Sequence, residues 1–184
     1  MKILSKNIGI LSFLGGFEAH KKILQDFSVY TSFVKEVKDL ESIDALIIPG
    51  GDNSVLLSLL SASLFPALQK RIAEGMPVFV TGSSVLLFTD PLSPLYIRQF
   101  HMKKSLSREE YQENIIINFS DMKPFSAHFI PFGKIESLEK NMKIFSRNTE
   151  GEAVLFQYKH ILFSAFYPEF STDYRIHEYF LNLI

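Results

Sequence analysis

Short, solid apolar runs alternate with stretches of helical spacing along the first ninety residues. Asn7–Phe13 has the length and character of a buried strand, and Val29–Val34, Ala45–Ile48 and Pro77–Val80 also read as strands. Between them, Phe17, Ile23, Leu24 and Phe27 recur at helix spacing over 17–27, and 65–74 forms another helical stretch that stops at Gly75. Asp52 or Asn53 predicts the cap of a further helix running through Leu60. Strands and helices in this order predict an open, mostly parallel sheet covered by helices on both faces.

From Tyr96 onward the runs shorten. Strands are predicted at Tyr96–Met102, Tyr111–Asn118, His128–Phe132, Ile144–Arg147, Ala153–Tyr158 and Ile161–Phe166, with a turn at Asn148-Thr149-Glu150-Gly151. Ser171–Ile184 predicts a closing helix, with Ser171 or Thr172 as its cap and Ile176, Tyr179, Phe180 and Leu183 as its apolar stripe. No repeat or linker interrupts the chain, so one domain over 1–184 is expected. Three small-residue loops follow strands: Gly15-Gly16, Pro49-Gly50-Gly51-Asp52 and Thr81-Gly82-Ser83-Ser84. In a parallel sheet, loops at strand carboxyl ends meet at one crevice, where ligands bind.

Charge adds little to this picture. The 19 Lys and Arg against 20 Asp and Glu, with no long run of either sign, leave no electrostatic footprint for nucleic acid or an anionic membrane. The opening MKILSKNIGILSFLGG places two lysines before an apolar run, but serine interrupts it and Gly15-Gly16 leads into Glu18, His20, Lys21 and Lys22. That is a buried strand, not a signal peptide, and a cytoplasmic location is expected. The absence of cysteine matters most, because it removes thiolate metal sites and every cysteine nucleophile. The 18 phenylalanines are read as core packing.

PVFVTGSSVLLFT, Pro77–Thr89, is a strand, a cluster of small residues and an apolar helical run. Nucleophile elbows are built this way, with the attacking side chain at the tip and the next backbone N–H facing the reacting oxygen. Here the tip is Gly82.

Four segments in order resemble the glutaminase subunits of pyridoxal 5'-phosphate synthase, the PdxT/SNO family of class I glutamine amidotransferases. IGILSFLGGFEAH matches that family's opening strand and LQGA-type loop, Pro49–Ser54 its PGGES loop, GMPVFVTGSS its GKPxxGTCAG elbow, and YPEF, Tyr167–Phe170, its HPEL segment. The resemblance implies a three-layer, flavodoxin-like α/β fold, with a mostly parallel sheet flanked by helices and added antiparallel strands in the C-terminal half. It places Gly82 at the nucleophile, Tyr167 at the base and Glu169 at the orienting carboxylate, so only the carboxylate survives. Gly51 and Ser83 fall at the oxyanion-hole N–H groups. Leu14, Gly50, Asp52, His101 and Pro131 fall at substrate-pocket positions, with Leu14 in place of a glutamine and His101 and Pro131 in place of arginines. Loss of an arginine removes the planar fork suited to a carboxylate.

What this implies is a degenerate glutaminase subunit with no cofactor and no metal, whose partner is the barrel-shaped synthase subunit. Glutamine hydrolysis needs a nucleophile and an imidazole to move its proton, and a phenol with a pKa near 10 is a poor base at neutral pH. Two alternatives stay open: a free-standing small-molecule-binding protein using the crevice, and a hydrolase using Ser83 or Ser84. Ser83, one place past the tip, is expected to point away from the crevice and cap the following helix. Gly50-Gly51 reads as a tight turn sooner than an anion site. His20, His101, His128, His160 and His177 lie in no catalytic motif, although His20 matches a family histidine. Asp173 and His177, four apart on the last helix, read as a polar helix face sooner than a metal site.

Overall fold

Three of the first four apolar runs become the middle of one sheet, and Val29–Val34 supplies one of its edges. The computed structural model describes residues 6–13, 15–51, 64–104, 109–119, 121–130 and 132–184. The helix expected to follow Asp52 lies outside these residues. Strands β1 (Asn7–Leu11), β2 (Tyr30–Val34), β3 (Ala45–Ile48) and β4 (Val78–Thr81) run parallel with β11 (Ile161–Ser164), in the order β2-β1-β3-β4-β11. Two antiparallel strands, β10 (Ala153–Tyr158) and β9 (Lys143–Arg147), complete the seven. The fold is therefore α/β with a mostly parallel sheet and added antiparallel strands.

Period-two alternation sends neighbouring residues to opposite faces, and here both faces are dry. Ala45, Ile47, Phe79 and Leu162 pack in one apolar cluster, whereas Leu46, Ile48, Val78, Val80 and Phe163 pack in the other. Helix α1 (Phe17–Leu24) and helix α3 (Arg175–Leu181) cover the first face through Leu24, Ile176 and Phe180. Helix α2 (Leu64–Ala73) covers the second through Leu64, Phe65 and Leu68. Each face also receives an antiparallel pair of strands. The pair β6 (Tyr111–Ile116) and β7 (Pro124–Phe129) packs Ile115, Phe125 and Ala127 on the α1 face, and β5 (Phe100–Lys104) with β8 (Gly133–Leu138) packs Phe100 on the α2 face.

Differences from expectation concentrate in the C-terminal half. The strand expected at 96–102 is β5, shifted later because Ile97 N–H donates to the Phe88 carbonyl in a turn. The strand expected at 128–132 is β7, which begins at a proline on an edge, where a missing N–H costs no ladder bond. Strand β8, GKIESL, was not expected, since its half-exposed residues carry no apolar run. The closing helix is shorter than 171–184, because Ser171 Oγ accepts from Asp173 N–H and Asp173 Oδ1 from Arg175 N–H, making turns of its first residues.

Candidate active site

Strand β4 delivers Thr81 in extended geometry, and the chain then turns at Gly82, whose φ is +53°. Glycine enters this left-handed region without the Cβ penalty. Residues Gly82–Phe88 continue as a 3₁₀ helix, and Gly82 N–H donates to the Phe166 carbonyl at 3.1 Å. The exits of β4 and β11 are thereby tied together.

Tyr167 lies across this turn. A Cβ on Gly82 would sit 2.3 Å from Tyr167 Cζ and 2.4 Å from Cε1, and one on Gly50 would sit 2.6 Å from Cε1. Both glycines are thus required by one ring. On its other side the ring stacks on half-exposed Phe170, with centroids 5.6 Å apart and planes 8° apart. His128 meets Phe170 edge-on and lies 3.4 Å from Glu110. The Tyr167 hydroxyl accepts from Ser83 N–H at 3.3 Å and donates to Ser83 Oγ at 3.4 Å. Burial raises the phenol above its ordinary pKa of 10.0, outweighing the two Ser83 hydrogen bonds that lower it. The ring is therefore a neutral hydroxyl at pH 7.

Three elbow hydroxyls reach the glycine loop after β3. Thr81 Oγ1 accepts from Gly50 N–H at 3.3 Å, Ser84 Oγ donates to the Pro49 carbonyl at 2.6 Å, and Ser83 Oγ donates to the Gly51 carbonyl at 2.5 Å while accepting from Gly51 N–H at 2.9 Å. Ser83 therefore points into the crevice and does not cap a helix, contrary to expectation. The Gly15-Gly16 loop closes on the same place: Cβ atoms built on Gly15 and Gly16 would meet the Gly50 carbonyl oxygen and Glu169 Oε1.

Beneath the elbow lies a buried polar chain. Glu169 Oε1 accepts from Thr81 Oγ1 at 3.3 Å and lies 3.4 Å from His20 Nε2. His20 Nδ1 is 2.9 Å from His177 Nε2, and both rings are fully buried. One proton arrangement satisfies the contacts: His20 Nε2–H faces the Glu169 carboxylate, and His177 Nε2–H donates to His20 Nδ1. Burial, with the His20 ring as a smaller cause, holds His177 well below the usual histidine pKa. Sequence reading placed these two histidines in no site, and they are 157 residues apart. The one available signal was the match of His20 to a family position.

Gly50, Gly51, Gly82, Ser83, Tyr167 and Glu169 are brought together. His101 is exposed on β5 opposite Ser137, and no hydrogen bond or ion pair links it to Gly82, Tyr167 or Glu169 among the described residues. Leu14, Asp52 and Pro131 lie outside the described residues. Asp173 holds Arg175 and His177 faces His20, so that pair is neither a metal site nor an exposed polar face. No group of three metal-ligating residues occurs among the described residues. None of their helices is long and apolar enough to cross a membrane. A cavity of about 330 Å³ is lined by Tyr111, Phe129, Phe132, Lys134, Glu150 and Val154, and not by the elbow.

A model of the SNO glutamine amidotransferase family matches residues 10–184. The chain belongs to that family. Among relatives, the pyridoxal 5'-phosphate synthase subunit PdxT of Thermosipho africanus (strain TCF52B) is 28% identical over 186 residues, covering 96% of this chain and 98% of its own length. That of Thermoplasma acidophilum is 31% identical over 190 residues, covering 97% and 93%. A glutamine amidotransferase crystal structure superposes with a TM-score of 0.85 at 25% identity, covering 96% of this chain and 97% of the other. PurLQS from Thermotoga maritima shares the fold, with a TM-score of 0.71 at 10% identity over 97% and 99%.

Proposed function

We propose that this SNO-family chain is a degenerate glutaminase subunit, one glutamine amidotransferase-like domain over 1–184 that does not hydrolyse glutamine. It would act as an inert or regulatory partner of a pyridoxal 5'-phosphate synthase barrel subunit in the cytoplasm, without a cofactor of its own. In this reading Gly82 stands at the nucleophile position, Tyr167 at the base and Glu169 at the orienting carboxylate. The observation that carries it is the Tyr167 ring, which fills the space where a side chain at position 82 would begin. A site in this state has no attacking atom, and its would-be base is a phenol that burial keeps protonated.

Both alternatives fare worse. The Ser83 and Ser84 hydroxyls donate to backbone carbonyls of the glycine loop, so their protons are committed there. A new ligand in the crevice would have to displace Tyr167, while Gly50 N–H, Gly51 N–H and Ser83 N–H all have acceptors within the chain. The test is ammonia release from glutamine with a PdxT-dependent synthase barrel subunit present. Release at the level of a protein-free blank is expected. Release above it, abolished by Glu169→Ala, overturns the reading. Co-purification of a barrel subunit from the native source tests the partner.

A further inference from the structure

The elbow pattern GTCAG, set on Val80–Ser84, has alanine and glycine where this chain has Ser83 and Ser84. Both added hydroxyls are spent on the glycine loop. Ser84, fully buried, fastens the Pro49 carbonyl, and Ser83 holds both the N–H and the carbonyl of Gly51. With Thr81 on Gly50 N–H, each of the loop residues 49, 50 and 51 is tied to one elbow hydroxyl.

We propose that Ser83 plugs the chain's own oxyanion hole and latches the glycine loop in place. Its oxygen takes the Gly51 N–H that a reacting carbonyl oxygen would need, and its proton holds the Gly51 carbonyl. The second donor, Ser83 N–H, is occupied by the Tyr167 phenol. This inference rests on the reading above that Gly51 N–H and Ser83 N–H are the hole.

A backbone N–H has one proton and cannot serve a hydroxyl and a substrate oxygen at full strength. A hole stabilises charge only when its donors are pre-aimed and available as the charge develops. Displacing the Ser83 hydroxyl breaks both its hydrogen bonds to Gly51 and the one it accepts from the Tyr167 hydroxyl, in a part-buried site, and the freed hydroxyl must find new partners. The plug is thus a second lock, separate from the missing nucleophile. Restoring a thiol at 82 and an imidazole at 167 would leave it shut.

Two measurements test this. In the native chain, hydrogen exchange at Gly51 N–H, followed by NMR, should be slow. Ser83→Ala should speed it by about 10-fold or more, as expected when a protecting acceptor is removed, whereas Tyr167→Phe, which takes one donor from Ser83 Oγ but leaves both its hydrogen bonds to Gly51, should speed it far less. If alanine prevents folding, Ser83→Cys keeps the volume and weakens the acceptor. Equal exchange in wild type and the Ser83 variant overturns the plug.

The second arm compares Gly82→Cys/Tyr167→His with the same pair plus Ser83→Ala. The substrate is p-nitrophenyl acetate, a small ester that needs no amino-acid pocket, and iodoacetamide alkylation measures thiol reactivity in parallel. At equal alkylation rates the triple variant should hydrolyse the ester about 10- to 100-fold faster, a little under the usual effect of one hole donor. Equal ester rates at equal alkylation refute the plug. Glutaminase activity in wild type would overturn the functional reading instead, and leaves the Gly51 exchange contrast as a separate result.

Discussion

Gly82→Ala is the sharpest probe of how Tyr167 sits. The added methyl meets two costs. Position 82 has a φ of +53°, and a residue with a Cβ pays about 1–2 kcal/mol to stay in the left-handed region. The methyl would also lie 2.3 Å from Tyr167 Cζ, a separation that no relaxed carbon pair tolerates. The ring has little room to retreat. Gly50 lies close beneath it, Phe170 stacks above it, and Tyr167 N–H is bonded to the His128 carbonyl at 2.9 Å. Overpacking of this kind costs about 1–3 kcal/mol. The whole change should therefore destabilise the fold by about 2–5 kcal/mol, lowering Tm by about 2–4 °C for each kcal/mol at this chain length.

A double-mutant cycle separates the two costs. In a Tyr167→Ala background the ring is gone, so Gly82→Ala should cost only the backbone part, about 1–2 kcal/mol. Urea unfolding at fixed m-value gives all four corners. The same cost in both backgrounds would show that the ring does not occupy the space beside position 82. A cost below about 0.5 kcal/mol in the native background, within the range of neutral surface changes, would do the same.

Three further outcomes follow from the same geometry. Because His177 is held below its ordinary pKa of 6.5, the unfolded chain binds the proton first, so this group's contribution to stability should be level above pH 7 and fall as pH drops below 6.5. The slope from this group is at most about 1.4 kcal/mol per pH unit, and His177→Gln should flatten it in unfolding curves between pH 7 and 5; an unchanged slope refutes the assignment. Tyr167 should ionise above pH 10 in ultraviolet titration; burial raises Tyr111 and Tyr179 as well, so Tyr167→Phe should shrink the late component by one tyrosine, and a loss from the early component instead would contradict its burial. Gly82→Cys/Tyr167→His should not recover glutamine turnover with a barrel subunit present, and near-family kcat and KM would show that the pocket has been misjudged.

The centre of the fold was legible because its strands are buried on both faces. ALII, VFVT and ILFS are solid apolar runs, and no helix of three or four residues competes with that reading. The flanking pairs of strands were less legible. GKIESL in β8 touches the core with one face only, and PFSAHF in β7 opens with proline, so neither signals a strand by composition. At the site, the glycine and tyrosine positions could be read from motif order. The Ser83 contacts could not, since a hydroxyl after a turn serves equally as a cap or as a partner for a loop 32 residues away. The His20–His177 contact is more distant still, and isolated histidines carry no register or period.

Glu169 illustrates why a surviving carboxylate is poor support for surviving chemistry. It is buried, it accepts from Thr81 Oγ1, and His20 Nε2 lies beside it. Thr81 in turn holds Gly50 N–H, and His20 holds His177 on α3. Removing the carboxylate would strip the buried Thr81 hydroxyl of its acceptor and leave His20 Nε2 with Thr81 Oγ1 alone, a loss of about 1–3 kcal/mol, and would open a cavity besides. Those costs fall on the fold whether or not anything is hydrolysed. At position 82 the opposite holds: a glycine there lets the Tyr167 ring pack against the turn, and at Tyr167 the ring stacks on Phe170 and caps Ser83 N–H. Stability alone therefore accounts for glutamate at 169 with glycine and tyrosine at the other two positions. A stability measurement makes the point testable, since Glu169→Ala should lower Tm in a chain that releases no ammonia with or without the substitution.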